Sequence, residues 1–335
     1  SAAHALLGAD PASATVGAAG RAVRGGVTFR VERAPADNVV AVLPGSDPAL
    51  RNTYVALGAH NDHVGISPAA VDHDSLKASL YQARRLYMQA DPEGDETIPP
   101  DAQAALTERQ RAIRVNVDSL RAIRPARRDS INNGADDDGS GSMALLEIAE
   151  NLQAARAKPK RSLLFVWHTA EEKGLVGARW YADHPTVPRD SIVAQLNIDM
   201  IGRGRAEDVA TGGPSYVGIV GHRRLSTVLG EMAEATAKQA GIKLDFALDA
   251  NGHPQNIYCR SDHFHYARYG IPIAFFFTGL HGDYHRVTDE PQYIDYPHYA
   301  RITNYIRDLT AKVADLDRRP PVDQPRPDPS APCRQ

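Results

Sequence analysis

The chain has 335 residues, of which 42% are hydrophobic and 24% charged, and its formal net charge at pH 7 is -3. The length exceeds the ~100–200 residues of an average domain, yet single α/β domains reach it, so we expect one large domain with an insertion. The near-neutral charge gives no electrostatic reason to expect nucleic acid or an anionic membrane as a partner, which favours small or peptidic partners.

Three features bear on the compartment of the protein. The two cysteines, Cys259 and Cys333, are too few for a disulfide framework or a cysteine-rich zinc module. The longest strongly apolar run, 271–277, is far shorter than the ~20 residues that cross a bilayer, so we expect no membrane span. The chain begins at Ser1 with no signal-peptide pattern, which fits a removed leader or a trimmed sequence. The sequence leaves both origins open, and our expectation for the compartment is a secreted or periplasmic protein.

Apolar runs of strand length alternate with amphipathic patterns along the chain. Strands are predicted at 38–43, 54–57, 162–167, 193–198, 216–220 and 271–277. Helices are predicted at 143–155, 225–240 and 299–315. Continuously apolar strands that alternate with helices indicate an α/β protein, in which helices cover both faces of a mixed, mostly parallel sheet.

Residues 75–128 interrupt this alternation. The segment is rich in Arg, Gln, Ala and Glu, and it carries helical patterns at 75–89 and 102–123 on either side of the acidic residues 91–100. We interpret it as a helical insertion, either a solvated hairpin or a lid over an active site. The predicted organisation is a lead-in segment at 1–37, a main domain at 38–317 that contains this insertion, and an extended Pro-rich tail at 318–335.

Side chains that can bind metal follow four of the predicted strands. In an open α/β sheet, ligands bind beyond the carboxyl ends of the strands. The runs 54–57, 162–167, 193–198 and 271–277 are followed in turn by His60 and Asp62, by Glu171 and Glu172, by Asp199, and by His285. A fifth group, the triplet Asp136, Asp137 and Asp138, stands between glycines just before a predicted helix. We expect all five groups to meet at one edge of the sheet.

So many carboxylates in one cleft need a counter-charge. Unpaired carboxylates repel one another and take up protons unless cations neutralise them. A mixed set of imidazole nitrogens and carboxylate oxygens suits zinc, and the set holds more carboxylates than one zinc ion requires. The residues therefore predict two zinc ions that share one bridging acid.

Six motifs strengthen this interpretation by their order. They are A-H-N-D-H, G-A-D-D-D-G-S-G, T-A-E-E-K-G-L-V-G, N-I-D-M-I-G-R, R-S-D-H and D-Y-H-R-V-T-D. Together they resemble the co-catalytic di-zinc aminopeptidases, namely the bacterial leucyl aminopeptidases and aminopeptidase Y, with their glutamate carboxypeptidase and transferrin receptor relatives. The resemblance spans about residues 38–315. It implies a zinc-exopeptidase, or phosphorylase-hydrolase-like, sandwich in which 38–317 is a zinc peptidase catalytic domain.

Carried over position by position, the resemblance implies five metal ligands. Asp137, the second acid of the triplet, bridges both zinc ions. His60 and Asp199 complete the shell of one ion, and Glu172 and His285 complete that of the other. In relatives the peptide bond after the bridging acid is cis, and the neighbouring glycines make such a turn feasible.

The resemblance also implies residues that act around the metal. Glu171, which stands beside a ligand without being one, is the general base that takes a proton from a metal-bridging water and gives it to the leaving amine. Asp62 accepts a hydrogen bond from the second ring nitrogen of His60, unless it forms a surface salt bridge. Tyr258 is a candidate donor to the tetrahedral oxyanion, and the alternative is a packed loop tyrosine.

Substrate-binding residues are predicted from charge and position. Arg260 and Arg203 are the best basic candidates for a substrate carboxylate, unless they pair with structural acids. The phenylalanines at 275–277 alternate about the sheet plane and are mostly core; Phe276 is our candidate for a hydrophobic subsite. Four histidines near the motifs are interpreted as pocket-lining or core residues rather than ligands: His63, His168, His263 and His281.

The sequence thus predicts a di-zinc metallo-exopeptidase, and specifically an aminopeptidase that releases the N-terminal residue of peptide substrates. A glutamate-carboxypeptidase-like enzyme is the first alternative, although such enzymes need an arginine cluster and the arginines near these motifs are scattered. A non-enzymatic receptor-type domain and a single-zinc glutaminyl cyclase are further alternatives. The complete set of predicted ligands, together with the base, argues against both.

Overall fold

The structure is a computed structural model that describes residues 2–8, 10–15, 17, 19–22, 24–30, 34–91 and 98–335. Most of the acidic stretch 91–100, and parts of the lead-in segment, lie outside the described residues. The chain divides into two compact units, Ser1–Pro35 and Ala36–Gln335. The described part of the first unit contains helix α1 (Ala2–Leu7) and a 3-10 turn at Pro11–Ser13.

The second unit is built on a seven-stranded sheet. The strands of the described residues are, in chain order, β1 (Val39–Leu43), β2 (Tyr54–His60), β3 (Ile66–Asp72), β4 (Arg128–Ile131), β5 (Ser162–His168), β6 (Ile192–Ile198), β7 (Tyr216–Val220), β8 (Lys243–Asp245) and β9 (Ile273–Phe277). The large sheet has the spatial order β1-β5-β2-β6-β9-β7-β8. Its pairs are parallel except β1 with β5 and β7 with β9, so the predicted mixed, mostly parallel sheet is confirmed.

The helices of the second unit are α2 (His73–Ala90), α3 (Pro100–Arg111), α4 (Val117–Ile123), α5 (Gly139–Ala154), α6 (Val176–Asp183), α7 (Thr227–Ala240), α8 (His263–Ala267) and α9 (Tyr296–Ala314). Of these, α5, α7 and α9 pack on one face of the sheet and α6 and α8 on the other. The single helix predicted at 102–123 is instead two helices. The break has a local cause, because the Asn116 side chain accepts a hydrogen bond from the Ser119 amide at 3.0 Å and so begins α4.

Strand β5 shows how the two faces are filled. Leu163 and Phe165 belong to the apolar cluster formed with α5, α7 and α9, whereas Leu164 and Val166 belong to the cluster that includes residues of α6 and α8. Successive side chains of a strand point to opposite faces, so a continuously apolar strand must be covered on both. The core therefore lies on both sides of the sheet and leaves the carboxyl ends of the parallel strands open.

The helical insertion stands on a separate two-stranded ribbon. Strands β3 and β4 pair antiparallel, and α2, α3 and α4 lie between them in the chain. The insertion thus leaves the main fold at Asp72 and returns at Arg128, two residues that are themselves paired in the ribbon.

The tail is extended and fastened to the second unit. Residues 318–335 contain no helix or strand. A disulfide joins Cys333 to Cys259, and the Gln335 side chain accepts a hydrogen bond from the Tyr258 amide at 3.0 Å. The sequence did not predict this pairing. Among the helices of the described chain, none has the length and apolar character needed to span a bilayer.

Candidate metal centre

The first group of donor atoms lies at the ends of buried strands. His60 is the last residue of β2, and Asp199 directly follows β6. The Nε2 atom of His60 lies 3.2 Å from Oδ1 of Asp137 and 3.7 Å from Oδ1 of Asp199. The side chain of His60 is only 1% exposed, so the surrounding sheet holds this donor group in place.

The second group lies on turns and loops. The Nε2 atom of His285 is 3.0 Å from Oδ2 of Asp137 and 3.1 Å from Oε2 of Glu172. The His285 side chain is 33% exposed, and its backbone has the left-handed φ of 57° on the loop that follows β9. Asp137 therefore directs Oδ1 towards the first group and Oδ2 towards the second.

A second imidazole reaches the same pair of carboxylates. The Nδ1 atom of His63 lies 2.9 Å from Oε1 of Glu172 and 3.8 Å from Oδ2 of Asp137. Within the described chain, His60, Asp137 and Asp199 form one set of potential metal ligands, and His63, Asp137 and Glu172 form another, with the ligand atoms of each set within 4.8 Å of one another. The sequence analysis interpreted His63 as a pocket-lining or core residue and did not predict its approach to Glu172. Its position in the A-H-N-D-H motif, three residues after the predicted ligand His60, could have indicated this approach.

Asp138 joins the backbone segments around the site. Its Oδ1 accepts hydrogen bonds from the amides of Gly141 at 2.8 Å and Met200 at 3.2 Å, and its Oδ2 accepts one from the amide of His60 at 3.0 Å. The carboxylate thus caps α5 and connects the ends of β2 and β6. The Asp137–Asp138 peptide bond is cis, as the resemblance implied.

Asp136 connects the triplet to the loop that carries His285. Its Oδ1 accepts a hydrogen bond from the Gly202 amide at 2.6 Å, and its Oδ2 lies 3.1 Å from Nε2 of His281. In return, Oδ2 of Asp289 accepts hydrogen bonds from the amides of Asp136 at 3.0 Å and Asp137 at 3.3 Å. The three acids therefore have different tasks, and only the middle one faces both donor groups.

Asp62 holds the turn that carries the two glutamates. Its Oδ1 accepts a hydrogen bond from the Glu171 amide at 3.0 Å, and its Oδ2 lies 3.4 Å from the Glu172 amide nitrogen. This corrects the predicted contact with the His60 ring, whose Nδ1 lies 3.0 Å from the backbone oxygen of Asp62 and 3.7 Å from its carboxylate. The hydrogen bonds of the carboxylate are therefore to the turn and not to the imidazole.

The electrostatics of the site fit a divalent metal ion. Burial raises the pKa of Asp137, but contacts with His285 and His60 outweigh burial and hold that pKa well below its usual value. Burial lowers the pKa of His285, but Asp137 and Glu172 raise it to about 9. Nε2 of His285 and Oδ2 of Asp137 are buried and lie 3.0 Å apart, yet neither makes a hydrogen bond of good geometry with any described residue. Imidazole nitrogens and carboxylate oxygens that lie close together, with unmet hydrogen-bonding capacity and negative charge, form a ligand set for a cation.

Glu171 stands beside these ligands in a protected position. It lines a cavity of about 30 Å³ together with Asp137, Glu172 and Asp199. Burial raises the pKa of Glu171 to about 10; the nearby Asp262 and Asp199 add to the rise, and His60 opposes it. A larger cavity of about 750 Å³ lies along α5 and α9 and includes none of the predicted ligands, so the chemistry belongs to the small one.

The apolar wall of the small cavity corrects one predicted substrate contact. Phe276 is fully buried and packs edge-to-face against Tyr305 in the core, whereas Phe275 and Phe277 line the cavity. Alternation along β9 puts these two on the opposite face from Phe276. The prediction that Phe276 forms a hydrophobic subsite was therefore wrong, because its two neighbours in the chain line the cavity instead.

Tyr258 also lies away from the donors. Its ring packs under the guanidinium of Arg224, 4.7 Å from the ring centroid, and edge-on to His263. It is not among the residues that line the small cavity, whereas Tyr284 is, and Tyr284 stacks on His285 with ring centroids 3.8 Å apart. The oxyanion role expected of Tyr258 is not supported by this position.

The two predicted arginines have different surroundings. Arg203 is buried and bonds to the carboxylates of Asp208 and Asp283, so it pairs with structural acids. Arg260 lines the small cavity and donates to Oε1 of Gln255 at 3.1 Å and to the Tyr284 hydroxyl at 3.3 Å. Ser261, which the sequence analysis did not single out, donates from Oγ to Oδ2 of Asp199 at 2.7 Å.

Comparison with known sequences gives one family match. The family model described as Peptidase family M28 matches residues 38–98 and 116–310. The chain is 31% identical over 169 residues to leupeptin-inactivating enzyme 1 of Streptomyces exfoliatus, covering 49% of this chain and 33% of that protein. It is 31% identical over 174 residues to a probable leucine aminopeptidase of Arthroderma benhamiae, covering 42% of this chain and 49% of that protein. The alignments thus span less than half of these curated relatives.

Solved structures show the same architecture. The zinc aminopeptidase BSAP of Bacillus subtilis aligns with a TM-score of 0.52 at 18% identity, covering 82% of this chain and 49% of that one. The LapA aminopeptidase of Legionella pneumophila aligns with a TM-score of 0.52 at 18% identity, covering 83% of this chain and 56% of that one. At such identity the likeness establishes the fold.

Proposed function

Because the chain belongs to peptidase family M28, we propose that it is a zinc-dependent aminopeptidase that removes the N-terminal residue of peptides, with its catalytic domain at 38–317. One observation carries the proposal: Asp137 faces His60 with one carboxylate oxygen and His285 with the other. A carboxylate between two donor groups is the arrangement that a pair of metal ions requires. Two relatives are named as aminopeptidases, and this supports cleavage at the N-terminal end of the substrate.

Two zinc ions fit the donor set. His60, Asp199 and Asp137 would hold one ion, and Glu172, His285 and Asp137 would hold the other. When bound, zinc supplies a Lewis acid that polarises the scissile carbonyl and makes water a nucleophile near neutral pH.

Glu171 moves the proton in this proposal. It lines the cavity beside the ligands, and the hydrogen bond from its amide to Asp62 fixes the start of its side chain. Burial and the nearby acids raise the pKa of Glu171 in the metal-free chain, so the carboxyl is a strong proton acceptor once it is ionised. Cations held by the neighbouring carboxylates would favour that ionised form, which can then take the proton of the attacking water. The same carboxyl then donates the proton to the leaving amine. Phe275 and Phe277 supply an apolar wall that excludes water from this transfer.

One observation keeps a carboxypeptidase as the second candidate. The guanidinium of Arg260 has only neutral hydrogen-bond partners among its described contacts, at the mouth of the cavity. A cation in that position can bind a substrate carboxylate. It is a single arginine rather than a cluster, because Arg203 is already paired with acids.

The decisive variant is Glu171→Gln, compared with Glu150→Gln on the exposed side of α5. We expect Glu171→Gln to keep two zinc ions per chain by elemental analysis. Its kcat should fall by about 10²–10⁴-fold on aminoacyl anilides, because only the proton acceptor is lost. Glu150→Gln should match the parent in both measurements.

Two results would count against the proposal. Normal turnover in Glu171→Gln would remove Glu171 from the reaction. A parent enzyme that cleaves peptidyl-glutamate substrates at the C-terminus and leaves aminoacyl anilides intact would replace the aminopeptidase with the carboxypeptidase.

We also infer that the protein functions in an oxidising compartment, as a secreted or periplasmic enzyme does. The Cys259–Cys333 disulfide supports this, because such bonds persist outside the reducing cytosol. In protein isolated from its native host, Cys259 and Cys333 should not react with an alkylating agent before reduction. Two reactive thiols in that preparation would contradict the inference.

A further inference from the structure

We propose that the helical insertion positions His285, the predicted ligand of one metal ion, by holding residues 281–293 at two points. We call these residues the His285 loop. Only the statement about metal rests on the proposed function; the contacts themselves are properties of the described chain. The sequence left open whether the insertion is a solvated hairpin or a lid over an active site; the proposal rejects the first and gives the insertion a positioning role.

The first point of contact is a buried ion pair. Lys77 of α2 donates to Oδ2 of Asp283, which lies two residues before His285. Asp283 is 3% exposed, and its Oδ2 also accepts from Arg203 at 3.0 Å. Arg203 also pairs with Asp208. If Lys77 were removed, the buried carboxylates of Asp208 and Asp283 would therefore have Arg203 as their one shared cation among these contacts. A buried carboxylate that loses its partner is strongly destabilised, so the loop should shift when Lys77 is removed.

The second point of contact lies at the base of the insertion. Nε2 of His73, the first residue of α2, lies 2.6 Å from Oε2 of Glu290. Nη1 of Arg127, which precedes β4, lies 3.9 Å from Oε1 of the same glutamate. Tyr293 packs against both contacts, since its ring stacks on His73 and lies 3.8 Å below Nζ of Lys77. The insertion therefore contacts the loop on both sides of His285.

Between these contacts the loop reaches the metal centre directly. His285 contacts Asp137 and Glu172, and Tyr284 stacks on the His285 ring. Oδ2 of Asp289, the residue before Glu290, accepts a hydrogen bond from the backbone amide of Asp137. A displacement of the loop would therefore move His285, one donor of the second group. The donors at the ends of β2 and β6 belong to the sheet, so the first group should keep its geometry.

The test compares Lys77→Met with Arg121→Met in the full chain. Both variants remove a cation from the insertion, but Arg121 pairs with Asp72 rather than with the His285 loop. Zinc affinities are measured by competition with a chelator. Hydrogen exchange is measured on the amides of residues 283–290 in the metal-free protein. Lys77→Arg serves as the rescue, and Glu290→Gln as a second variant in case Lys77→Met does not fold.

We expect Lys77→Met and Glu290→Gln to weaken the binding of one zinc ion by about 10–100-fold and to leave the other unchanged. Amide hydrogen exchange of residues 283–290 should be faster in Lys77→Met and in Glu290→Gln than in the parent protein. Lys77→Arg should restore zinc binding and slow exchange, and Arg121→Met should behave like the parent.

The outcomes separate this inference from the proposed function. If the parent binds two ions and Lys77→Met behaves like Arg121→Met, or loses both ions equally, the insertion does not position His285. If the parent binds fewer than two ions, the two-zinc proposal fails, and exchange at 283–290 decides the inference alone. Unchanged exchange there would overturn it, and faster exchange confined to Lys77→Met and Glu290→Gln would support it.

Discussion

The two donor groups of the metal centre differ in what holds them. His60 and Asp199 lie at the ends of two neighbouring parallel strands, and the side chain of His60 is 1% exposed. Glu172 and His285 lie on a turn and a loop, and the side chain of His285 is 33% exposed. The comparison shows that one chain can build half of a site from sheet register and the other half from contacts between distant side chains.

The two halves should also respond differently to change. A strand end moves only if the sheet moves, because the strand itself is paired with a neighbour on each side and its surroundings are close-packed. A loop moves at much smaller cost in free energy, so its donors depend on individual ion pairs such as Lys77 with Asp283. This difference predicts which variants lose all function and which lose part of it.

The largest effect should come from Asp137→Ala, because the Asp137 carboxylate faces the donor atom of His60 with one oxygen and that of His285 with the other. We expect loss of both zinc ions by elemental analysis and a fall in kcat/KM of more than about 10³-fold, since the Lewis acid is lost with the ions. Asp190→Ala, at an exposed position, is the control. Two zinc ions retained in Asp137→Ala would refute the bridging role.

A smaller effect should distinguish the two imidazoles of the loop half. We expect His285→Gln to weaken the binding of one zinc ion more than His63→Gln does. His285 lies 3.0 and 3.1 Å from Asp137 and Glu172, whereas His63 lies 2.9 Å from Glu172 but 3.8 Å from the bridging Asp137. Chelator competition on each variant measures this. The reverse order would make His63 the ligand and leave His285 as a lining residue.

The smallest effect concerns the pH dependence of stability on the strand side. His263 is fully buried, its ring stacks on Phe275 with centroids 4.5 Å apart, and burial lowers its pKa to about 3 from 6.5. Between these two pH values the unfolded chain binds a proton that the folded chain does not. The contribution of His263 to the free energy of unfolding is therefore present above pH 6.5 and falls by up to ~1.4 kcal/mol for each pH unit below it.

Urea unfolding of the metal-free protein between pH 7 and pH 4 measures this slope. His263→Gln should flatten it, whereas His184→Gln, at an exposed position after α6, should leave it as in the parent. An identical slope in the parent and in His263→Gln would mean that His263 does not cause the loss of stability in acid.

Much of the architecture could be predicted from patterns within short stretches. Strand β7 was predicted at its observed bounds, 216–220, and β2 was predicted three residues short because its last residues are Gly, Ala and His rather than large apolar ones. Apolar runs predict strands reliably because a buried strand must be apolar on both faces. Helix α4 was missed because its Asn116 cap lies within an otherwise helical pattern.

The site was predictable only in its residue types. The acids and histidines after the strands could be named in advance, since crowded carboxylates need cations wherever they meet. Which neighbour faces the cavity could not, and the error at Phe276 shows why. Side chains on a strand alternate, but a run that is apolar at every position does not reveal which face meets the cavity.

What residue order alone determined was therefore the alternation of strands and helices, the acid-rich turns between them and the chemistry those turns can support. Only the folded chain decided that His63 reaches the same carboxylates as His285, that Asp62 holds two amides rather than an imidazole, and that Lys77 reaches Asp283 from 206 positions away. The physical reason is the distance along the chain over which each effect acts. Propensity and periodicity act over a few residues, whereas hydrogen bonds and ion pairs form between whichever groups packing brings together.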